Sequence, residues 1–293
     1  MTLPKQAILF IVNPISGGHN KLEISKAIPE LIDKNKFLFS IVQSEYPGHT
    51  TKIAKNAVKQ GVDIVVAVGG DGTINEIAAQ LVNTNTALGI IPCGSGNGLA
   101  RDLGISLQYR KAIQQINTSR IKKIDAGICN EQFFFSLTGV GYDAKVAYDF
   151  NRSKKRKFFG YAWAILKDYF FAKEQHYKIE LERETIEGHF FFIAAANCSQ
   201  WGYGVKVAPA AQLDDNILEI ILCKKPPIYC IIPFIYRLLS GKIDTSSYST
   251  CKTSEKLVIS SNNKFFYHLD GDAKGITKVV NISLLYKALN ILN

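Results

Sequence analysis

The sequence lacks the features that usually mark metal-binding, disulfide-stabilised and membrane-spanning proteins. None of its six cysteines forms a Cys-x-x-Cys pair, and its five histidines show no metal-ligand spacing. We therefore expect the cysteines to be small buried hydrophobes in a reducing compartment. No signal peptide is expected, because Lys5 leads directly into an apolar strand. The most apolar late segment, residues 228–239, contains Pro233 and Arg237 and is too short to span a bilayer.

The composition is that of a globular protein with an excess of positive charge. Of its 293 residues, 47% are hydrophobic and 20% are charged, which excludes a disordered or fibrous chain. The length favours two domains, each with its own core. A net charge of +10 favours acidic partners, namely nucleotides, nucleic acid or an anionic membrane surface, and does not choose among them.

The texture of the sequence changes near residue 124. Before it, short apolar strands alternate with helical patterns, which predicts right-handed βαβ crossovers. After it, β-branched and aromatic segments are separated by turn residues. We therefore predict an α/β N-terminal domain with a doubly wound, mainly parallel sheet over residues 1–124. Residues 125–293 are predicted to form a mostly antiparallel β-sandwich domain, with the extreme C-terminus allowed to return to the N-terminal domain.

The most informative motif follows the apolar run that ends at Val68. Three glycines surround one carboxylate, and a helix-start signal follows at once. This pattern predicts a phosphate-binding loop at a helix N-terminus, where backbone N–H groups point outward and glycines permit close approach. Thr73 and Glu76 also have the spacing of a capping box, which is a purely structural alternative. The motif consists of Gly69, Gly70, Asp71, Gly72, Thr73, Ile74, Asn75 and Glu76.

Two further small-residue loops follow predicted strands. Residues 13–18 (Asn-Pro-Ile-Ser-Gly-Gly) follow the first strand, with Lys21 nearby as a counter-charge. Residues 94–97 (Gly-Ser-Gly-Asn) follow the fourth strand, with Arg101 one helical turn further on. Each loop alone is ordinary turn chemistry. Because the carboxyl ends of parallel strands meet at one sheet edge, the three loops together predict a nucleotide site.

In this order the loops resemble those of the diacylglycerol kinase catalytic domain superfamily, which includes bacterial soluble lipid kinases and the sphingosine and ceramide kinases. Later motifs extend the resemblance over most of the chain: residues 139–144 (Gly-Val-Gly-Tyr-Asp-Ala), 209–216 (Pro-Ala-Ala-Gln-Leu-Asp-Asp-Asn) and 269–272 (Leu-Asp-Gly-Asp). The family's C-terminal Asp-Gly-Glu motif ends here in Asp272, whose side chain is one methylene shorter than that of glutamate.

The resemblance implies a site for ATP and Mg²⁺. It implies that Asp215 binds Mg²⁺ with backbone carbonyls of Gln212 and Ile217, a ligand set that suits a hard cation. An ordinary Asp-Asn hairpin turn is the alternative explanation of that motif. Asp272 is implied as the general base, and Asp71 is a second candidate, either as the base or as a ligand of the ATP-bound Mg²⁺. The implied nucleotide-binding residues are Asn13, Ser44, Gly69, Gly70, Asp71, Gly72, Thr73, Ile74, Asn75, Glu76, Gly94, Ser95 and Asn97.

A run of cations over residues 151–157, followed by aromatic residues up to 163, suits an anionic membrane surface. A solvated charge run explains it equally well, and nucleic acid is not an expected partner. The sequence thus predicts an ATP- and Mg²⁺-dependent kinase for a lipid hydroxyl, such as that of diacylglycerol or a sphingoid base. We expect it in the cytoplasm, at the inner membrane surface, with a homodimer left open. The alternatives are an NAD kinase-like enzyme and a catalytically weak lipid- or nucleotide-binding sensor.

Overall fold

The computed structural model describes residues 4–16, 21–152 and 169–293, with the backbone alone described for residues 150–152. The chain divides into two compact units. The first unit comprises Met1–Ala126 together with Tyr286–Asn293, and the second comprises Gly127–Leu285. The first unit is therefore built from two stretches of sequence that are separated by the whole of the second.

The first unit alternates strands and helices along the chain. Its strands are β1 (Gln6–Val12), β2 (Phe37–Gln43), β3 (Ile64–Gly69) and β4 (Ala87–Pro92). Its helices are α1 (Lys21–Leu31), α2 (His49–Lys59), α3 (Asp71–Leu81), α4 (Gly98–Asp102) and α5 (Tyr109–Ile116).

The four strands form a parallel sheet in the order β4-β3-β1-β2. Every residue of β3 is buried, because helices cover both faces of a parallel sheet and its strands are therefore continuously apolar. Phe10 and Val66 pack on one face with Ile24 of α1 and Ile113 of α5. Helices α2 and α3 contact each other and the sheet outside that cluster, on the opposite face. The predicted doubly wound parallel sheet is confirmed.

The last residues of the chain complete the first unit. Ile291 pairs in parallel with Leu88 of β4, which extends the sheet by one strand. Asn293 and Arg120 exchange two backbone hydrogen bonds of 2.9 and 3.0 Å. These backbone contacts make residues 286–293 an integral part of the first unit.

The remaining elements are mostly strands. In chain order they are β5 (Ile121–Cys129), β6 (Gln132–Phe134), β7 (Leu137–Gly141), α6 (Tyr142–Arg152), β8 (Gln175–Leu181), β9 (Thr185–Phe190), β10 (Phe192–Ala196), β11 (Gln200–Gly202), β12 (Val205–Lys206), β13 (Leu218–Cys223), α7 (Ile231–Ser240), β14 (Ser249–Ser254), β15 (Lys256–Leu269) and β16 (Asp272–Leu292).

The sheet of the second unit is antiparallel. Its strands follow the order β14-β13-β10-β7-β15, and β15 also pairs with β16 and β8. Alternate residues of β10 face two cores: Ile193 packs in the core of Tyr177, whereas Phe192 packs in the core of Phe234 from α7. This alternation is expected of a strand with apolar layers on both faces. The predicted mostly antiparallel, β-rich fold is confirmed.

Candidate active site

The loops after β3 and β4 lie in backbone contact in the first unit. The N–H of Cys93 donates a hydrogen bond of 2.7 Å to the carbonyl of Gly69. A Cβ atom on Gly94 would lie only 2.7 Å from the Cα of Gly70, and one on Gly69 would lie 2.5 Å from the Cβ of Thr73. Glycine is therefore required at position 94, where a side chain would separate the two loops, and at position 69, where a side chain would collide with Thr73 in the first turn of α3.

Asp71, the first residue of α3, ties the β3 loop to the β4 loop. Its Oδ2 accepts a hydrogen bond of 2.8 Å from the N–H of Asn97, and its Oδ1 accepts one of 3.0 Å from the N–H of Gly98. Hydrogen bonds to a charged acceptor are stronger than neutral ones. Both carboxylate oxygens thus hold the start of α4 in place.

The β4 loop is also closed on itself by Asn97. This buried residue has a left-handed backbone (φ 52°), which asparagine tolerates. Its Oδ1 accepts from the N–H of Gly94 at 3.0 Å, and its Nδ2 donates to the carbonyl of Gly94 at 2.8 Å. Arg101 Nε donates to the carbonyl of Gly96 at 2.9 Å. Ser95 is left as the exposed side chain at the tip of this ordered loop.

The β1 loop joins the β3 loop through Asn13. Its Nδ2 donates to Thr73 Oγ1 at 3.0 Å, and its Oδ1 accepts from the N–H of Ile15 at 3.2 Å. Ser44, which follows β2 and is buried, donates its N–H to the carbonyl of Val12 at 2.9 Å. Gly17 and Gly18 of the predicted loop lie outside the described residues. The described parts of the β1, β3 and β4 loops, with Ser44, thus come together at the carboxyl ends of the parallel strands.

The capping-box alternative is wrong. Helix α3 begins at Asp71 with Gly70 as its N-cap, so Thr73 lies inside the first turn, and the cap has no side-chain hydrogen bond. Glu76 Oε2 instead accepts a hydrogen bond from Thr50 Oγ1 of α2. Ile74 is buried, and its N–H donates to the carbonyl of Gly70 at 3.0 Å, so it packs beneath the loop.

Lys21, the first residue of α1, is a buried cation. The residue is 6% exposed, and Nζ has no hydrogen-bond partner of ordinary geometry among the described residues, although it lies close enough to the Cys93 thiol to interact with it. Burial raises the pKa of the nearby Cys93 thiol, and the Lys21 ammonium partly opposes this by stabilising the thiolate. A buried ammonium without an acceptor is unfavourable in free energy, and an anion bound beside it would remove that penalty.

In the second unit, Asp272 lies at the exit of a tight hairpin between β15 and β16. Asp270 (φ 48°) and Gly271 (φ 80°) both have left-handed backbones, as a two-residue type I′ turn requires. Asp270 accepts backbone hydrogen bonds of 2.7–3.2 Å from residues 135, 136 and 137, so it anchors the hairpin. Asp272 is 56% exposed, and its Oδ2 lies 2.8 Å from Lys274 Nζ.

A buried pair, His268 and Asp143, lies beside this hairpin and was not identified from the sequence. His268 Nε2 lies 3.1 Å from Asp143 Oδ2, and His268 Nδ1 accepts a hydrogen bond of 3.3 Å from the N–H of Gly271. Because Nδ1 accepts, the hydrogen bonds assign the ring proton to Nε2, which donates to Asp143. A Cβ atom on Gly139 would lie 2.2 Å from Asp143 Oδ2, which explains a glycine there. In the sequence, the only sign that Asp143 could be functional was its place in the 139–144 motif.

The turn at Asp215 precedes β13. Asp215 Oδ1 accepts a hydrogen bond of 3.0 Å from the N–H of Ile217, and Asn216 between them has a left-handed backbone (φ 63°). Burial, and to a smaller extent the negative charge of Asp215, raises the pKa of Glu219. Within the described ranges, no cluster of three or more His, Cys, Asp or Glu side chains is placed to hold a metal ion. The predicted ligand set, with one carboxylate and two carbonyls, stays a prediction.

The basic and aromatic run predicted to face a membrane lies almost wholly outside the described residues, which resume at residue 169. In the part of the chain that the structure describes, no helix is long and apolar enough to cross a membrane.

Comparisons with known proteins agree with this architecture. Residues 7–129 match the model of the diacylglycerol kinase catalytic domain, and residues 136–293 match that of the YegS C-terminal NAD kinase beta sandwich-like domain. A probable lipid kinase YegS-like protein of Chromohalobacter salexigens is 30% identical over 60% of this chain and 59% of its own length. A diacylglycerol kinase of Bacillus subtilis is 25% identical over 91% of this chain and 89% of its own.

The fold also matches solved structures. A crystal structure of a diacylglycerol kinase from Bacillus anthracis superposes with a TM-score of 0.74 at 20% identity, covering 98% of this chain and 96% of that one. At that identity the likeness establishes the fold. The two family models show that the chain belongs to the diacylglycerol kinase family of lipid kinases, which are phosphotransferases with an alcohol group as acceptor.

Proposed function

We propose that the protein is an ATP- and Mg²⁺-dependent lipid kinase that transfers the γ-phosphoryl group of ATP to a hydroxyl of a lipid such as diacylglycerol or a sphingoid base. The observation that carries this proposal is the buried, unpartnered ammonium of Lys21 beside the strand-end loops of the first unit. Phosphate oxygens of ATP would supply the acceptor that Lys21 lacks among the described residues.

The glycine loops would bind the ATP phosphates through their main chain. Gly70 and Gly94 let the two loops pack backbone against backbone, and the N-terminus of α3 lies next to this contact. A helix N-terminus favours an anion through its free N–H groups and its dipole. The exposed hydroxyl of Ser95 is placed to add a side-chain donor. Asn13 and Asn97 act as positioning residues, because their amides are used to hold the loops.

Asp272 is the better candidate for the general base. Its carboxylate is exposed, whereas both oxygens of Asp71 already accept backbone hydrogen bonds. Asp272 would take the proton of the lipid hydroxyl as the oxygen forms its bond to the γ-phosphorus and the bond to the β–γ bridging oxygen breaks, releasing ADP. The rigid hairpin and its anchor Asp270 would fix the position of Asp272.

The Mg²⁺ site is proposed at the Asp215 turn. The carboxylate of Asp215 and the carbonyls of Gln212 and Ile217 are hard oxygen donors of the kind that Mg²⁺ prefers. The hydrogen bond from the Ile217 N–H holds Asp215 against the turn, which fits a ligand fixed in place. Bound there, Mg²⁺ would offset the negative charge that Asp215 and Glu219 share and would stabilise the start of β13.

A lipid acceptor requires the protein to work at a bilayer, so we propose that it acts in the cytoplasm as a peripheral protein at the inner membrane surface. The net charge of +10 supports contact with anionic lipids. No nucleic-acid partner is proposed, because no nucleic-acid-binding module was recognised in the sequence.

The test is thin-layer separation of products after incubation of the protein with γ-labelled ATP, Mg²⁺, NAD and a mixed lipid extract. We expect one labelled lipid, lost when EDTA is added and lost in Asp272→Asn. Lys274→Met is the matched control, because it removes the ion-pair partner of Asp272 and keeps the carboxylate. Label in NAD instead of a lipid would favour the NAD kinase alternative. Nucleotide binding without turnover, with activity gained in Asp272→Glu, would favour the sensor.

A further inference from the structure

Helix α7 exposes more of its apolar side chains than it buries. Phe234 faces the core, whereas Ile232 is 81% exposed and Tyr236 is 67% exposed. With Leu239, which is also exposed, these residues follow the spacing i, i+4, i+7 and share one face of the helix. A helix that is apolar on all sides is normally buried, so the outer face of α7 fits a partner that is itself apolar.

Two exposed phenylalanines lie near the residues that lead into α7. Phe170 and Phe171 are both exposed, the latter at 81%, and residues 169–171 are helical. A pocket of about 420 Å³ lies between this segment and the residues that lead into α7. It is lined by Tyr169, Phe170, Lys225, Pro226, Pro227 and Ile228. We call the combined surface the α7 patch and define it by Phe170, Phe171, Tyr229, Ile232, Tyr236 and Leu239.

The segment that carries the phenylalanines is held in place by polar contacts. The hydroxyl of Tyr169 donates to the carbonyl of Pro226. Lys225 Nζ donates to the carbonyl of Ala172 at 2.8 Å and lies 4.8 Å from the centroid of the Tyr169 ring. The N–H of Lys225 donates to Glu174 Oε1 at 2.7 Å. The α7 patch is therefore preformed, and no ordering of this segment is needed before it binds.

The charge next to the patch is mainly positive. Residues 224–242 contain Lys224, Lys225, Arg237 and Lys242, and no Asp or Glu. Glu174 accepts from the N–H of Lys225, whose ammonium is already bound to the carbonyl of Ala172, so Lys224, Arg237 and Lys242 are the cations left for lipid phosphates. Exposed aliphatic and aromatic side chains beside cations match the interface of an anionic bilayer, where apolar groups reach the acyl boundary and cations meet lipid phosphates. Tyrosines such as Tyr236 suit the same depth, because the ring is apolar and its hydroxyl is polar.

We propose that the α7 patch is the membrane-docking surface of this protein and that its occupant is an anionic phospholipid bilayer. The proposal rests on the proposed function in one respect, since a lipid substrate is what brings the protein to a membrane. The patch would lie in the plane of the headgroups, with Ile232 and Leu239 inserted and the flanking cations against the phosphates.

The test is sedimentation of the full chain with phosphatidylcholine vesicles, with and without phosphatidylglycerol, in the absence of ATP. We expect binding only with phosphatidylglycerol, and a loss of about tenfold or more in the Ile232→Glu/Leu239→Glu double variant. Ile276→Glu is the matched control, because Ile276 is 52% exposed on β16 and outside the patch, and it should bind like wild type. Melting temperatures and circular dichroism of all variants verify folding.

Several outcomes would overturn the proposal. They are failure of the wild type to bind anionic vesicles, unchanged binding by the double variant, and an equal loss in Ile276→Glu. A double variant that turns a dimer into a monomer while retaining vesicle binding would also overturn it, because the patch would then join two copies of the chain. Wild-type kinase activity on a water-soluble short-chain diacylglycerol is measured separately. A short-chain sphingoid base is assayed in the same way. Absence of activity on both acceptors would count against the proposed function, and loss of vesicle binding in the double variant would still support the docking surface.

Discussion

Replacing Asp71 with asparagine separates a positioning role from a catalytic one. Asp71 accepts hydrogen bonds from the N–H groups of Asn97 and Gly98 through its two carboxylate oxygens. Asparagine keeps one acceptor and turns its NH₂ group toward the other N–H, so one charge-assisted bond is lost and two donors face each other. A hydrogen bond to a charged group contributes about 1.5–3 kcal/mol. Because Asp71 is only half-buried, we expect a cost near the lower value, about 1.5 kcal/mol.

The assay combines thermal unfolding with steady-state kinetics. A cost of that size should lower the melting temperature by several degrees. The KM for ATP should rise because the β4 loop is no longer held against the β3 loop, whereas kcat should change less. Asp272→Asn is the matched comparison: the same substitution on an exposed carboxylate should leave the melting temperature unchanged and abolish kcat. An Asp71→Asn variant with the wild-type melting temperature and no kcat would refute this reasoning and make Asp71 catalytic.

Variants at three further positions test other parts of the protein. Lys21→Met should raise the KM for ATP. It should also raise the free energy of unfolding without nucleotide by about 1 kcal/mol or more, because it removes a buried charge that has no hydrogen-bond partner among the described residues. An unchanged KM would contradict the phosphate assignment. His268→Phe should cost about 1–3 kcal/mol in urea unfolding by leaving the Asp143 carboxylate and the Gly271 N–H without their partner, whereas His268→Gln, which keeps a donor, should cost less. Glu219→Gln should raise the melting temperature at pH 7. The pKa of Glu219 is raised in the folded state, so its protonated form stabilises the fold and this stability is lost as the pH rises through that pKa. Glutamine stays neutral at every pH and does not lose it. Below the ordinary glutamate pKa the two proteins should melt alike, and added Mg²⁺ should narrow the difference at pH 7; equal melting at pH 7 would contradict the shift.

The fold could be predicted because its local signals agree with its topology. Strands buried on both faces of a parallel sheet must be apolar throughout, and β3 (Ile64–Gly69) shows this in sequence as an unbroken apolar run. Glycines at its end permit the backbone approach between Gly70 and Gly94. The apolar run and the glycines are each visible in a short stretch of sequence, and the general rules of parallel sheets say what each one means. Both could therefore be predicted from one sequence.

The roles of individual side chains depended on contacts between distant parts of the chain. His268 meets Asp143 only because β15 pairs with β7, and nothing in the sequence near either residue indicates that pairing. Asp71 was predicted to act as a base or as a Mg²⁺ ligand, but its hydrogen bonds to the start of α4 follow from how closely two glycine loops approach. The capping box failed for a related reason: the helix starts two residues before Thr73, at Asp71, because Gly70 has the extended backbone of an N-cap.

The return of residues 286–293 to the first unit sets an order for folding. The sheet edge at β4 (Ala87–Pro92) is covered by a segment that is translated only after the whole of the second unit. Until then, an exposed strand edge and the buried apolar residues behind it would lack their last partner. The second unit, whose residues are contiguous, can complete its antiparallel pairing first even though the first unit begins earlier. During synthesis, then, the ATP-binding unit we propose would reach its final form only after the second unit has been translated.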